Sequence, residues 1–250
     1  MNAHPARGPA DAGAVAHVFV DALDDACVIT GDDGHHLQRV RRLAPGEAVT
    51  AADGSGAWRS YAVTEVANGC LTLEARGEVE RGPDTPGAPV SLAVALTKGG
   101  LDDVVGAVTE LGVARVIPVR TARVVVRWDP DRARRAVVRL RAVAREAAMQ
   151  SRRARVPVVD DVVALAALVD RSGLVVAARD GVTASELAPP PKEIGWTVLV
   201  GPEGGLAPEE LELLAAAPRL RLGPHVLRAA TAPLAAVAVL TAEASRLGPE

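Results

Sequence analysis

The chain has 250 residues, of which 49% are hydrophobic and 24% are charged, and this balance excludes a chain that is mainly disordered. Its net charge of −3 argues by itself against a nucleic-acid-binding protein, but the charge is unevenly distributed. Ten arginines against three carboxylates give residues 127–155 a net charge of +7, so the rest of the chain carries −10. Such a basic stripe is typical of a surface that binds a polyanion, although a solvated helix face in an arginine-rich protein would give the same count.

Two further features narrow the class of protein. Cys27 and Cys70 are too few and too far apart for a metal cluster, and they are predicted to be small core residues. No metal site is expected. The N-terminus has no apolar run of signal-peptide length, and the longest apolar run near the C-terminus, 229–242, is interrupted by Pro233. We therefore expect a cytoplasmic protein.

The first part of the chain consists of short β segments separated by turns. Asp53-Gly54-Ser55-Gly56 has the composition of a tight hairpin turn. One helical segment, 34–43, is ended by Pro45-Gly46, and its arginines 39, 41 and 42 are either phosphate contacts or a solvated helix edge. The pattern predicts a small β-barrel with strands at 17–20, 26–29, 48–52, 58–66 and 71–75.

A change of composition marks the boundary between two predicted domains. Residues 76–89 carry several charges, three prolines and no hydrophobic periodicity. We therefore predict an N-terminal domain over 1–76, a linker over 77–89 and a C-terminal domain over 90–250.

The second domain alternates strand and helix patterns, and this alternation predicts a parallel α/β sheet. The arginine-rich segment 131–150 has Val137, Leu140, Ala144 and Ala147 on one helical face. The remaining predicted elements are strands at 90–96, 115–119, 123–126, 174–178 and 197–200, helices at 101–111 and 162–169, and a loop at 179–183.

Two glycine-proline turns, each after a short strand, are the strongest functional signal. Gly201–Gly205 precedes a helix start at Pro208, and Gly223–His225 leads to Thr231, predicted as the N-cap of the helix 233–244. Glycine loops at the carboxyl ends of parallel strands form ligand crevices, so we expect a small-molecule site here; ordinary strand–helix connections are the alternative. The loops match neither the P-loop nor the G-x-G-x-x-G motif, which argues against a phosphate site.

The sequences GPEGG and LGPHVLRAAT of these two loops resemble the C-terminal signature of the SPOUT methyltransferases, specifically the bacterial 16S ribosomal RNA (uracil-N3)-methyltransferase family. The stretches HHLQRVRRLAPGE, DGSGAW, LTKGG, TELGV and EAAMQSRRARVP also resemble that family, so the likeness spans nearly the whole chain. Two positions depart from the family pattern. A second lysine after Lys98-Gly99 is absent, and Ala230 stands where the family has an acidic residue.

The resemblance implies an α/β fold with a C-terminal SPOUT trefoil-knot domain, a PUA-like RNA-binding barrel before it, and a homodimer that binds ribosomal RNA. It also implies that S-adenosylmethionine is the cofactor and that N3 of a uridine is the methyl acceptor. The implied cofactor-binding residues are Leu199, Gly201, Glu203, Gly204, Gly205, Leu222, Gly223, Val226, Leu227 and Thr231. The basic helices and the resemblance together give the expected RNA-binding residues Arg39, Arg42, Arg123, Arg135, Arg139, Gln150 and Arg153.

Two side chains of the loops are predicted to be catalytic. Arg228 is expected to stabilise the negative charge that develops on the uracil ring, and Glu203 is either the general base or an anchor for the following helix. Because Ala230 removes the family's acidic group, the general base is left undetermined. The alternative functions are a catalytically impaired RNA-binding relative and a SPOUT enzyme acting on a different RNA. An α/β hydrolase or a nucleotide enzyme would need a G-x-S-x-G or P-loop motif, which the sequence lacks.

Overall fold

The computed structural model describes residues 8–82, 87–123 and 128–248, and these form two compact units. The first unit contains 8–82 together with 148–156, and the second contains 87–123, 128–147 and 157–248. Segment 148–156 therefore groups with the first unit, although the predicted boundaries assign it to the second domain. The reason is nonlocal packing, because Ala148 and Ala154 share a hydrophobic cluster with Phe19, Ala52 and Trp58.

The first unit is a six-stranded, mostly antiparallel sheet with the order β1-β3-β4-β5-β2, in which β6 also pairs with β4. Strands from both ends of this order contribute to one core, since Val18 and Ile29 pack in the same cluster as Tyr61 and Leu73. The sheet thus curls around its core, as a small barrel does. Its elements are β1 (Ala16–Phe19), β2 (Ala26–Ile29), α1 (Gly31–Arg39), β3 (Ala48–Ala52), β4 (Ala57–Ala67), β5 (Cys70–Ala75) and β6 (Glu80–Arg81).

The predicted hairpin turn is confirmed, because β3 and β4 pair antiparallel across residues 53–56. Asp53 Oδ1 accepts hydrogen bonds from the backbone N–H groups of Ser55 (2.7 Å) and Ala57 (3.1 Å), which is how an aspartate fixes a tight turn. The helix predicted over 34–43 lies at Gly31–Arg39 and ends before Arg42, whose φ of 53° is left-handed.

The second unit is a seven-stranded parallel sheet with the order β10-β8-β7-β12-β11-β13, in which β9 also pairs with β8. The predicted parallel α/β architecture is confirmed. Its strands are β7 (Val90–Ala95), β8 (Arg115–Arg120), β9 (Val158–Val159), β10 (Val163–Ala164), β11 (Leu174–Val182), β12 (Trp196–Val200) and β13 (Arg219–Leu220). Its helices are α2 (Leu101–Glu110), α3 (Pro130–Gln150), α4 (Pro208–Leu213) and α5 (Thr231–Arg246).

Side chains of alternate residues on the central strands pack into hydrophobic clusters on opposite faces of this sheet. Leu92 and Val94 of β7 pack with Leu140 of α3 and Leu240 of α5, whereas Ala93 belongs to a second cluster. A sheet buried on both faces explains why its strands are almost continuously apolar. Among the described helices, none is long and apolar enough to cross a membrane.

Three predicted elements differ from the structure. The helix expected at 162–169 is instead the short strand β10 followed by the 3₁₀ helix Leu165–Leu168, in which those two leucines, three residues apart, are both buried. The loop expected at 179–183 is mostly strand, because β11 continues to Val182. Of the strand expected at 123–126, Arg123 lies in a turn, and the other residues lie outside the described part of the chain.

Candidate functional site

A cavity of about 490 Å³ lies within the second unit, where β11 and β12 end and next to β13. The carboxyl ends of parallel strands are where open α/β sheets bind ligands, and this volume is within the usual range for small-molecule sites. Three chain segments form its wall: residues 176–180, 200–206 without Gly204, and 222–227 without Pro224. Leu211, Arg219 and Ala232 complete the lining.

The two glycine loops meet the cavity with an open backbone. Gly205 has φ +70°, a left-handed conformation that favours glycine, and its N–H donates to Pro202 O at 2.9 Å. Gly223 has no such conformation, and a β-carbon built on it meets no protein atom within 4 Å. Neither backbone strain nor protein packing therefore requires glycine at 223. The space beside it is open, so a ligand in the cavity that Gly223 lines can approach its backbone closely.

The part of β11 that lines the cavity contains a β-bulge. Its pairing with β13 shifts register between Ala177 and Val182, so the intervening residues leave the ladder beside the cavity. Gly181 allows this because a β-carbon there would lie 2.3 Å from Arg219 O. The bulge presents Asp180, whose Oδ2 pairs with Arg219 Nη1 at 3.0 Å at the cavity edge.

The end of this segment is fixed by a capping box. Thr183 N and Thr183 Oγ1 donate to Glu186 Oε2 at 2.8 and 2.6 Å. These hydrogen bonds to the charged form lower the pKa of the Glu186 carboxyl below its ordinary value. The chain just after β11, three residues beyond the lining residue Asp180, is therefore held by hydrogen bonds to the Glu186 side chain as well as by the sheet.

The structure separates the two roles considered for Glu203. Helix α4 is anchored by Glu210 instead, whose Oε2 accepts from Ala207 N at 2.8 Å. Glu203 lines the cavity, is exposed, and has no hydrogen-bond or ion-pair partner within the described ranges. Its carboxylate is thus available to a ligand, and the helix-anchor role belongs to Glu210.

The predicted cofactor residues fall into two groups. Gly201, Glu203, Gly205, Leu222, Gly223, Val226 and Leu227 all line the cavity. The other three do not: Leu199 is fully buried in the core, Gly204 is exposed beside the lining residues, and Thr231 is exposed at the start of α5. The prediction that Thr231 is a helix N-cap was wrong, because Ala230 occupies that position and makes no side-chain cap.

Arg228 lies on the same segment as Leu227 but outside the cavity lining. Its side chain is exposed and has no hydrogen-bond or ion-pair partner in the part of the chain that the structure describes. Its carbonyl accepts from Thr231 N and Ala232 N, both at 2.9 Å, so its backbone is fixed by the start of α5. The result is an unpaired cation on a fixed backbone next to the cavity.

Several lining residues were missed from the sequence. Residues 176–180, Leu206, Leu211, Arg219 and His225 contribute to the wall. Residues 176–180 could have been predicted as lining residues, because 174–178 was predicted as a strand of a parallel sheet and its carboxyl end should face the same crevice. Arg219 and Leu211 had no signal of their own, since their positions depend on how α4 and β13 pack.

The expected RNA-binding residues of the second unit differ in their partners. Arg135 is exposed on α3, whereas Arg139 pairs with Asp102 at 3.0 Å. Arg141 similarly pairs with Asp161 at 3.1 Å. Arg123 is exposed, and its Nη1 donates to Gly204 O at 3.1 Å. Part of the positive charge of α3 is therefore balanced by neighbouring carboxylates.

In the first unit, Arg39, Arg42 and Gln150 are exposed. Arg153 is only 8% exposed, and its carbonyl accepts a hydrogen bond from the buried His17 Nε2 at 3.0 Å. A side chain so deeply buried does not present its charge to a partner at the surface. We therefore leave Arg153 out of the proposed RNA surface.

Two family models together cover most of the chain, and their descriptions define a two-domain RNA methyltransferase. Residues 84–241 match the family model described as an RNA methyltransferase domain, and residues 29–74 match an RNA methyltransferase PUA domain. The chain is 37% identical over 240 residues to ribosomal RNA small subunit methyltransferase E of Mycobacterium tuberculosis, covering 89% of this chain and 91% of that protein. The Bacillus subtilis protein of the same name is 31% identical, with coverage of 85% and 88%. The chain belongs to the ribosomal RNA small subunit methyltransferase E family.

Solved structures agree on the fold. A ribosomal RNA small subunit methyltransferase E from Neisseria gonorrhoeae, crystallised with S-adenosyl methionine, is 22% identical with a TM-score of 0.80, covering 91% of this chain and 97% of that one. A methyltransferase from Legionella pneumophila, also in complex with this cofactor, is 24% identical with a TM-score of 0.78, covering 91% and 97%. The expected combination of an α/β methyltransferase domain and a PUA-like domain is confirmed, and the SPOUT trefoil knot stays a prediction.

Proposed function

We propose that this chain, an S-adenosylmethionine-dependent ribosomal RNA methyltransferase by its family, methylates N3 of one uridine in the 16S RNA of the small ribosomal subunit. The observation that carries the proposal is the cavity at the strand ends, formed by the two glycine loops, with open space beside Gly223 and an unpaired Arg228 next to it. A cytoplasmic location, where the small subunit is found, belongs to the same proposal.

The residues present fit S-adenosylmethionine. The cavity combines apolar walls for a flat ring, such as Leu206 and Leu222, with exposed backbone at the glycine loops and a few polar side chains at the edge. Asp180, which also pairs with Arg219, supplies a carboxylate at the cavity edge to a cofactor that is positively charged at its sulfonium and amino groups. When bound, the cofactor supplies an already activated methyl group. No covalent nucleophile of the protein is needed.

The protein's own contribution to the reaction is alignment, exclusion of water and charge stabilisation. N3 of uridine is a weakly acidic imide and must lose its proton before it accepts a methyl group. The guanidinium of Arg228 would stabilise the negative charge that develops on the ring, and Glu203 would take the proton in place of the acidic side chain that Ala230 lacks. Because N3 lies on the Watson–Crick edge, the uridine must be unpaired, at a cost of a few kcal/mol.

The decisive experiment measures binding and turnover separately. Calorimetry with S-adenosylmethionine tests the cavity, and transfer of labelled methyl groups to small-subunit RNA, followed by nucleoside mass spectrometry, tests the product. N3-methyluridine is the expected product. Binding of cofactor and RNA without methyl transfer would identify an RNA-binding relative that has lost turnover. Methylation of another RNA would show that this RNA, rather than 16S RNA, is the substrate.

The charge of α3 gives a quantitative prediction for RNA binding. Arg132 and Arg135 are exposed, and neither forms an ion pair through its side chain in the described ranges. If both contact phosphates, replacing them with alanine should reduce the slope of log affinity against log salt by about 1.4 to 1.8. Replacing Arg139 and Arg141 should have a smaller effect, because Asp102 and Asp161 already neutralise them. RNA binding at several salt concentrations measures the slope for both double variants. An unchanged slope for the variant without Arg132 and Arg135 would indicate that the RNA binds to Arg39, Arg42 and the first unit.

We also propose a homodimer, but not through the C-terminal helix predicted over 233–244, whose apolar sequence suggests a packing face for a second copy. The apolar face of α5 is buried in its own unit, with Val237 and Leu240 fully covered. Exposed apolar side chains instead line the cavity, where Val226 is 73% and Leu211 is 45% exposed. Sedimentation at micromolar concentration should show a dimer, whereas an active monomer at that concentration would contradict the proposal.

A further inference from the structure

Glu210, near the start of α4, accepts hydrogen bonds from two loops that are far apart in sequence. Its Oε2 accepts from Ala207 N at 2.8 Å, and its Oε1 accepts from Ala122 N at 2.7 Å. The side chain is buried, with 8% exposure. A single carboxylate thus joins residues 121–123, the described start of the loop after β8, to the loop between β12 and α4.

This arrangement exceeds what the helix itself needs. A carboxylate at the third helical position caps the helix with one hydrogen bond to the N-cap N–H, which here is the bond to Ala207. Such caps are usually at the surface, where water solvates the second oxygen. Burying that oxygen costs free energy unless a donor replaces the water, and Ala122 is that donor. The second bond therefore serves the position of the loop after β8 rather than the helix end.

The two joined loops carry parts of the proposed binding sites. The loop before α4 supplies Gly201, Glu203 and Leu206 to the cavity wall. The loop after β8 carries Arg123, predicted to contact RNA, and Arg123 Nη1 donates to Gly204 O at 3.1 Å. This hydrogen bond is a second link between the segment predicted to contact RNA and the loop that lines the cavity.

We propose that Glu210 is a positioning residue. It holds residues 121–123 against the loop between β12 and α4, so that cofactor binding and RNA binding favour each other. The identity of the two ligands rests on the function proposed above; the junction itself does not. A ligand that orders one loop reduces the ordering cost that the other ligand must meet, and this coupling is reciprocal.

The first test needs no ligand. Glu210→Gln is nearly isosteric, but its amide has one oxygen and an NH₂ group that would face one of the two N–H donors, so one link is lost. Amide hydrogen exchange of Ala122 and Ala207, followed by NMR, should become about tenfold faster at one of them or both. Glu209→Gln, at the exposed neighbouring position, should leave both rates unchanged. Unchanged rates in a folded Glu210→Gln variant would overturn the proposal.

The second test measures the coupling. The affinity for S-adenosylmethionine is determined by calorimetry with and without a saturating small-subunit RNA fragment. The wild-type ratio is expected to be about fivefold or more, and the ratio for Glu210→Gln should fall towards one. A purely structural role would lower the unfolding temperature but leave the ratio unchanged, and that result would overturn the proposal, as would a wild-type ratio of one.

Two safeguards keep the outcomes distinct. If Glu210→Gln does not fold, Ala122→Pro removes only the donor on the loop after β8 and leaves the bond between Glu210 and Ala207 intact. The same loss of coupling is then expected from Ala122→Pro, and an unchanged ratio counts against the proposal. If the wild-type protein binds neither ligand, the proposed function fails, while the exchange rates of Ala122 and Ala207 still decide whether Glu210 positions the loop.

Discussion

Replacing Gly223 by valine is expected to weaken binding of S-adenosylmethionine by roughly 5- to 150-fold while the protein stays folded. The β-carbon of residue 223 meets no protein atom within 4 Å, so the folded protein tolerates it. A valine would nevertheless occupy the cavity that Gly223 lines. Displacing a ligand from a packed site by two or three carbon atoms costs about 1–3 kcal/mol, which corresponds to roughly 5- to 150-fold in affinity.

The matched control for this prediction is Gly8→Val. Gly8 also has open space at its β-carbon position and an extended backbone, but it belongs to the first unit. Calorimetry on both variants, with thermal unfolding to verify folding, separates a steric effect at the cavity from a general cost of replacing glycine. Wild-type affinity in a folded Gly223→Val variant would show that the cofactor does not occupy this cavity.

Replacing Arg228 by alanine is expected to reduce kcat by about 10²- to 10³-fold, with little change in cofactor affinity. The guanidinium lies outside the cavity lining and has no ionic or hydrogen-bonding partner among the described residues, so its loss should neither reshape the cavity nor leave a carboxylate unpaired. The effect should appear in the chemical step, because the negative charge on the uracil ring develops only as N3 loses its proton.

Single-turnover methyl transfer at saturating RNA and cofactor measures this step directly. Arg228→Lys should recover part of the rate, since it keeps the charge but loses the planar donors. Arg221→Ala, an exposed arginine on the same segment, should be close to wild type. If Arg228→Ala instead raises KM for RNA with kcat unchanged, Arg228 binds the substrate uniformly and is not a catalytic group.

Local sequence signals predicted those parts of the molecule that depend on neighbouring residues. The hairpin at 53–56, the strand 48–52 and the long helix α3 were all indicated by turn chemistry or periodicity. The two glycine loops were located because strand–glycine–helix patterns have a known place in parallel sheets. Seven of the ten residues that the family resemblance implied for the cofactor line the cavity, and their role in cofactor binding stays a prediction.

Other features depend on contacts between residues far apart in the chain, and these had no local signal. The bulge that presents Asp180 requires β13 beside β11, and the bond from Ala122 to Glu210 joins residues 88 positions apart. The burial of Arg153 is of the same kind, because its position next to His17 results from packing within the first unit. Sequence periodicity describes one element at a time, and these contacts arise only when elements are assembled.

The first unit is built from two separate stretches of the chain, and this has a consequence for protein synthesis. Gly56 N donates to Ala154 O at 3.2 Å, and Val156 N donates to Gly54 O at 3.0 Å, so the β3–β4 hairpin relies on residues made about a hundred positions later. N-terminal domains usually fold first as they leave the ribosome. Here the N-terminal unit cannot complete its structure until residue 156 has emerged, by which point much of the second unit has also been synthesised. In this ribosomal RNA-modifying enzyme the first unit is therefore completed only after part of the second unit has been synthesised, although still before residues 157–248, which the second unit needs.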